Sequence, residues 1–284
     1  MTENPLKHSL YYPNEKYNMD VLHHDQTLVV ESSLTFNSLC GLLMGSVLAV
    51  RIPKFYETDR CKYLSNILSN SVKNESTSSG KIYISDVDSF WNTLDKPELK
   101  ESYFNTAIPT MRRLRKLSFP YASPMDLLRL ELDEIWPSGV SIMHLGGKTM
   151  LFGITRIWQV GFEALPHQDV LWREIPNSNE SKDQISQLGV NVYLSSADLG
   201  GELEIWNHSF SDEDCERHGI KGSYGFSRSL LSNNSLVIKP QAGDLIMFNT
   251  TKVHAIRKIL QGERITISGF IGYWGMDKPL KCWS

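Results

Sequence analysis

From residue 149 onward the sequence breaks into eight short runs rich in strand-forming residues: MLFGITRIWQV, ALPHQD, QLGVNVYLS, GGELEIW, SLVIKP, DLIMFN, VHAIRKI and RITISGFIGYW. Runs of this length, bounded by Gly, Pro, Asn, Asp and Ser, are the signature of strands joined by turns. So many short strands in succession close into a roll rather than an open parallel sheet. With helical signals ahead of them, they predict an α+β fold, mainly β, in which a double-stranded β-helix (jelly roll) core is backed by N-terminal helices. No internal repeat, G-x-G-x-x-G or Walker motif argues for a nucleotide fold.

The first half supplies the helices. Thr58 can cap a helix through about residue 69, with Cys61, Leu64, Ile67 and Leu68 along one face. Ser123-Pro124-Met125-Asp126 is a helix start with serine as N-cap, proline in the first turn and an acid near the positive end, and that helix should stop near Trp136-Pro137. Residues 97–117 read as helical but interrupted at Pro109, with the basic run RRLRK at 112–116 on a solvated face. The Ser/Asn-rich stretch within residues 66–80 reads as a loop before a strand KIYISDV. One domain over 1–284 is expected: helical and strand decoration packing on the core at 1–148, the jelly-roll core at 149–275 and a C-terminal tail at 276–284.

Charged residues make up 21% and hydrophobic ones 41%, an ordinary globular balance. The net charge of −3 provides no basic field to attract nucleic acid. The apolar run LCGLLMGSVLAV falls short of the ~20 residues of a membrane span and reads as buried structure leading into a strand. Four scattered cysteines without a C-x-x-C pair, and no signal-peptide pattern, fit reduced thiols in a cytoplasmic protein.

Within ALPHQD, His167 and Asp169 stand two positions apart behind a proline that disfavours helix, so in extended chain both point to one side. In the last run Arg264, Thr266 and Ser268 alternate with Ile265, Ile267 and Gly269. If the isoleucines pack on helices, the arginine points into the roll, where it needs an anionic partner. His254 heads another run. Two histidines and a carboxylate can occupy one face of an Fe(II) octahedron, leaving positions for reactants, and a guanidinium suits the distant carboxylate of a chelating co-substrate.

The set His167-Gln168-Asp169, His254 and Arg264-Ile265-Thr266 resembles the H-x-D…H…R-x-S/T pattern of the Fe(II)/2-oxoglutarate-dependent oxygenases. The segments YLSSADLGGELEIW and AGDLIMFNTTKVHAIRKILQGERITISGFI resemble the prolyl-4-hydroxylase-like branch, over roughly residues 149–275. The resemblance implies that His167, Asp169 and His254 bind iron, that Arg264 pairs with the C5 carboxylate of 2-oxoglutarate and that Thr266 adds a hydroxyl. Trp158 falls where the branch often has a co-substrate-contacting tyrosine, and its indole N–H could substitute for the phenol. Arg156, on the same strand face, could bind a substrate carboxylate. A carboxylate at 169, where related halogenases have glycine or alanine, points to hydroxylation.

The activity so implied consumes O2 and 2-oxoglutarate and releases succinate and CO2, hydroxylating an unactivated C–H of a small molecule, either an amino acid or a natural-product intermediate. No nucleic-acid or membrane partner is expected. Substrate choice is assigned to the connections 170–187 and 207–234, the second carrying Tyr224 and Phe226. Two alternatives stand beside this reading. One is a peptide or protein side-chain hydroxylase; the other is a jelly-roll binding protein without catalysis, which would be expected to lack a ligand or the arginine.

Overall fold

Each of the eight β runs contains a strand in the computed structural model, which describes residues 28–73, 82–83, 89–220 and 225–284. The chain begins with β1 (Leu28–Val30), α1 (Phe36–Leu43), β2 (Ala49–Ile52), α2 (Thr58–Lys73), β3 (Ile82–Tyr83), α3 (Pro97–Ser118) and α4 (Pro124–Ile135). Then come β4 (Val140–Ile142), β5 (His144–Leu145), β6 (Lys148–Thr149), β7 (Ile154–Trp158), β8 (Ala164–His167), α5 (Leu171–Glu174), β9 (Ser186–Ser195) and β10 (Leu203–Ile205). The last part holds α6 (Asp212–His218), β11 (Leu236–Ile238), β12 (Leu245–Asn249), β13 (His254–Ile256), β14 (Arg264–Tyr273) and β15 (Leu280–Trp283).

The strands form a large sheet in the order β1-β2-β12-β9-β14-β15-β4, and a smaller one in the order β11-β10-β13-β8. β14 is long enough to take two partners on one edge, β7 along Arg264–Ser268 and β15 along Phe270–Gly272. Period-two alternation sorts its side chains as the sequence requires. Ile265 and Ile267 join Val190, Val192 and Met247 in a core with Leu64 and Leu68 of α2 and Leu128 of α4. Arg264, Thr266 and Ser268 take the opposite face and line a cavity that both sheets enclose.

Helix α4 starts as its sequence dictates: the Ser123 hydroxyl accepts from the Asp126 amide, Pro124 sits in the first turn, and the Asp126 carboxylate receives Arg115 of α3 at 2.8 and 3.0 Å. The rest of RRLRK conforms in part to a solvated face, since Arg113 and Lys116 are exposed while Leu114 is buried. Residues 39–50 turn from α1 into β2, all but Met44, Gly45 and Ser46 of that run being buried or nearly so. Gly146 and Gly147, both at positive φ, make the tight turn between β5 and β6, a conformation that glycine adopts without strain.

Three expectations are corrected. Helix α3 runs unbroken through Pro109: the proline costs one backbone bond, but Tyr103 and Ala107 before it and Leu114 after it are buried and hold both halves in one helix. Residues 276–284 are not a tail, because β15 adds to β14 and β4 and buries Leu280, Cys282 and Trp283. The third is the loop expected within residues 66–80, which is helical as far as Lys73, since serine and asparagine weaken a helix without ending it; the rest of it, and the expected strand apart from β3, lie outside the described residues. The N-terminal part contributes β2, which pairs directly with β12 and extends the large sheet. Among the described residues no helix is long and apolar enough to cross a membrane.

Candidate active site

The smaller sheet places the two histidines by its register. His167 ends β8 and His254 begins β13, and the two are direct partners in the antiparallel pair, their ring centroids 4.3 Å apart. Each imidazole is held the same way. His167 Nδ1 lies 2.6 Å from the Leu165 carbonyl and His254 Nδ1 lies 3.0 Å from that of Lys252. A carbonyl only accepts, so each Nδ1 carries the hydrogen and each Nε2 keeps its lone pair free to coordinate.

Asp169 follows β8 and its amide donates to the Thr250 carbonyl. That bond brings its Oδ2 to 3.3 Å from His254 Nε2 and 3.7 Å from His167 Nε2. Ligand atoms of the three residues all lie within 4.8 Å of one another, the only such group of His, Cys, Asp and Glu among the described residues. Gln168, between them, turns away, donating to the Thr251 carbonyl and accepting from the Phe210 amide, which fastens the loop after β10 to the site. Burial, followed by the neighbouring His254, pushes the His167 imidazole down to about 4. Burial opposes ionisation of Asp169, yet the two histidines hold its carboxyl at about 2. A carboxylate beside two imidazoles whose Nε2 atoms turn toward it is the donor set that a divalent transition metal takes.

Facing this cluster, the large sheet presents Arg264, 2% exposed. Its Nη2 donates to the Tyr193 hydroxyl at 3.2 Å and its guanidinium stands 5.0 Å from the Tyr193 ring centroid. Nε and Nη1 are buried without a partner, as is the indole Nε1 of Trp158, which sits directly across the β7–β14 pair from Arg264. Unpaired buried donors cost about 1–3 kcal/mol each, so three in one cavity mark a place built for an acceptor. Thr266 and Ser268 add hydroxyls on the same face, linked at 3.2 Å. The residues present therefore fit both a metal and a carboxylate-bearing co-substrate.

All of these side chains except Tyr193 line one cavity of about 480 Å3. Arg156 lies on its wall, opposite Thr266 in the ladder, and so does Phe226, which packs on Phe210 and whose amide donates to the Pro166 carbonyl. Tyr224 falls outside the described residues. Tyr193, Asn191 and Phe248 were not singled out from sequence. The alternation of QLGVNVYLS does put Gly189, Asn191 and Tyr193 on one face, which is the signal for the first two. Phe248 sets its ring edge against His254 at 4.9 Å. Glu174, on the short α5, also lines the cavity, and no pattern in the sequence pointed to it.

Comparison with known proteins follows the same outline. A family model described as the 2OG-Fe(II) oxygenase superfamily matches residues 152–272. An L-gamma-glutamyl-L-propargylglycine hydroxylase of Streptantibioticus cattleyicolor is 27% identical over 152 residues, 52% of this chain and 54% of that one. An L-isoleucine 3(1)-dioxygenase of Pantoea ananatis is 31% identical over 125 residues, 42% of each chain. The chain thus spans about half the length of these relatives. Among solved structures, an N-substituted L-amino acid dioxygenase of Burkholderia ambifaria superposes with a TM-score of 0.58 at 16% identity, over 88% of this chain and 91% of that one, a likeness of fold.

Proposed function

We propose that this chain, whose residues 152–272 match the model of the 2OG-Fe(II) oxygenase superfamily, hydroxylates an unactivated C–H of a small molecule of the amino-acid class. In this reading the two sheets are the faces of a double-stranded β-helix. His167, Asp169 and His254 hold iron(II), and Arg264, Thr266 and Trp158 receive 2-oxoglutarate. The observation that carries it is the pairing, in one cavity, of a His-Asp-His cluster with a buried arginine whose Nε and Nη1, and an indole whose Nε1, have no partner. When bound, the iron and 2-oxoglutarate supply activation of O2, coupled to oxidative decarboxylation to succinate and CO2.

The chain's own residues do the rest. The Nδ1–H bonds to Leu165 and Lys252 lock each imidazole with Nε2 inward. Arg264 keeps Nε and Nη1 without partners in the protein, donors fixed in direction by the plane of the guanidinium, and it would offer them to the distal carboxylate, which is why a guanidinium rather than an ammonium suits the position. Phe248 and Phe226 give the metal side of the cavity apolar walls that exclude water. Arg156 is assigned to a substrate carboxylate, and Phe226 to the substrate's apolar part.

The relatives named for hydroxylation of a glutamyl-propargylglycine and of isoleucine support the amino-acid class. A cavity of about 480 Å3, shared between co-substrate and substrate, favours a small molecule over a peptide side chain that must enter with its backbone. The test is anaerobic titration of the apoprotein with Fe(II) and then 2-oxoglutarate, followed by calorimetry and by the visible absorption of the chelate. Wild type should bind both, and His254→Ala should lose metal binding while its far-UV circular dichroism is unchanged. A His254→Ala variant that still binds Fe(II) as tightly as wild type would refute the assignment.

A further inference from the structure

Glu174 is a carboxylate on the wall of the substrate cavity with nothing to answer its charge. Among the described residues its carboxylate accepts no hydrogen bond and joins no ion pair, the backbone amide alone being bonded, to the Val170 carbonyl. Its neighbour Arg173, which also lines the cavity, is engaged elsewhere, donating to Asp212 Oδ1 at 2.5 Å and to the Phe210 carbonyl at 2.8 Å. Tyr103 is near enough for the two charges to be felt, but its hydroxyl is already spent, donating to the Ser284 carbonyl at 2.6 Å and accepting from the Leu151 amide at 3.1 Å. Burial and then Asp169 push the Glu174 carboxyl up to about 8, the mark of a charge with no cation beside it. The side chain is partly accessible, and the space it meets is the cavity itself.

An acid kept in such a place costs stability at every pH where it ionises, so a partner is expected from outside the chain. The chemistry of that partner follows from the surroundings. It must be a cation, and it must reach Glu174 from the cavity. Arg156 favours the ionised form of Asp169, Asp169 in turn opposes ionisation of Glu174, and all three side chains line the one cavity. A molecule with a carboxylate toward Arg156 and an ammonium toward Glu174 would therefore lie beside the metal ligands.

We propose that Glu174 is the subsite for the free α-ammonium group of the substrate, so that the chain accepts amino acids with an unmodified amine and rejects their N-acylated forms. This rests on the reading of the cavity as the substrate site of an oxygenase. An ammonium has three donors and offsets the carboxylate, whereas an acylated nitrogen is neutral and leaves Glu174 buried and unpaired.

The experiment uses the protein loaded with Fe(II) and 2-oxoglutarate under anaerobic conditions. The probes are the twenty proteinogenic L-amino acids and their N-acetyl derivatives, with binding read by calorimetry in wild type and Glu174→Gln. Wild type should bind at least one free amino acid at least about tenfold more tightly than its N-acetyl form. In Glu174→Gln that preference should collapse to within about threefold, with the N-acetyl affinity and the affinity for 2-oxoglutarate unchanged. A preference that survives in the variant overturns the inference. So does equal binding of free and acetylated forms in wild type, or binding of neither. Failure of the loading step itself, with no metal or 2-oxoglutarate bound, would instead overturn the reading on which the subsite rests.

Discussion

Replacing Arg264 by methionine should move stability and co-substrate response in opposite directions. In the apoprotein the side chain is 2% exposed, and Nε and Nη1 are buried without partners. Removing two such groups relieves about 1–3 kcal/mol each. Against this, the Tyr193 hydroxyl loses its 3.2 Å donor and its ring loses the guanidinium at 5.0 Å, together worth about 2–3 kcal/mol. Methionine fills the volume flexibly and adds no polar group. The balance is a gain of about 1–2 kcal/mol, or a midpoint rise of roughly 2–6 °C. With Fe(II) present throughout, adding 2-oxoglutarate at about a hundred times Kd should give wild type about 2.7 kcal/mol more and the variant almost nothing. Urea and thermal unfolding followed by tryptophan fluorescence, with and without 2-oxoglutarate, measure both terms. A variant less stable than wild type without ligand, yet still stabilised by 2-oxoglutarate, would show that Arg264 is structural.

Two further outcomes follow from other parts of the molecule. Burial opposes ionisation of Glu204, but Arg257, Arg228 and Ser235 hydrogen-bond its carboxylate and hold it down at about 2. A folded value below the unfolded 4.5 means the contribution is full above about pH 4.5 and lost as pH falls through about 2. Because both arginines are partly open to solvent, it amounts to about 1–2 kcal/mol after screening. Glu204→Gln should therefore flatten the acid limb of the stability curve, and an unchanged limb would discount the network. Trp283→Ala should cost about 3–5 kcal/mol in urea unfolding, because the ring is 1% exposed and packs near Phe270 and Trp274. A loss below about 1 kcal/mol would mean that β15 contributes little to the fold.

The parts of this molecule that could be read in advance are those where a local pattern carries the information. Alternation in RITISGFIGYW separates Arg264 from Ile265 whatever the partner strands are, and a proline before His167 keeps that segment extended. What stayed hidden depends on distant partners. Nothing in LKCW says that it will find an open edge of β14, since its pattern is too short to separate strand from tail. Pro109 looked like a stop because its cost is local, whereas the buried residues that outweigh it gain their contacts only after α3 packs. Glu174 follows a tryptophan and an arginine in a loop of mixed character, and only the folded cavity distinguishes it from any surface acid. Tyr193 was half-legible: its face was, its bond to Arg264 was not.

The pairing of His167 with His254 across two neighbouring strands has a consequence for how such a chain can diversify. The distance between these imidazoles is written into a ladder of backbone bonds, and the ladder is indifferent to what the intervening chain does. Between the two strands lie α5, α6 and the connections around them, which supply Glu174 and Phe226 to the cavity. Those segments can lengthen, shorten or change residue by residue without shifting the imidazoles. The imidazole pair and this part of the cavity lining are thus specified separately: one as a register between strands, the other as the contents of the intervening segments.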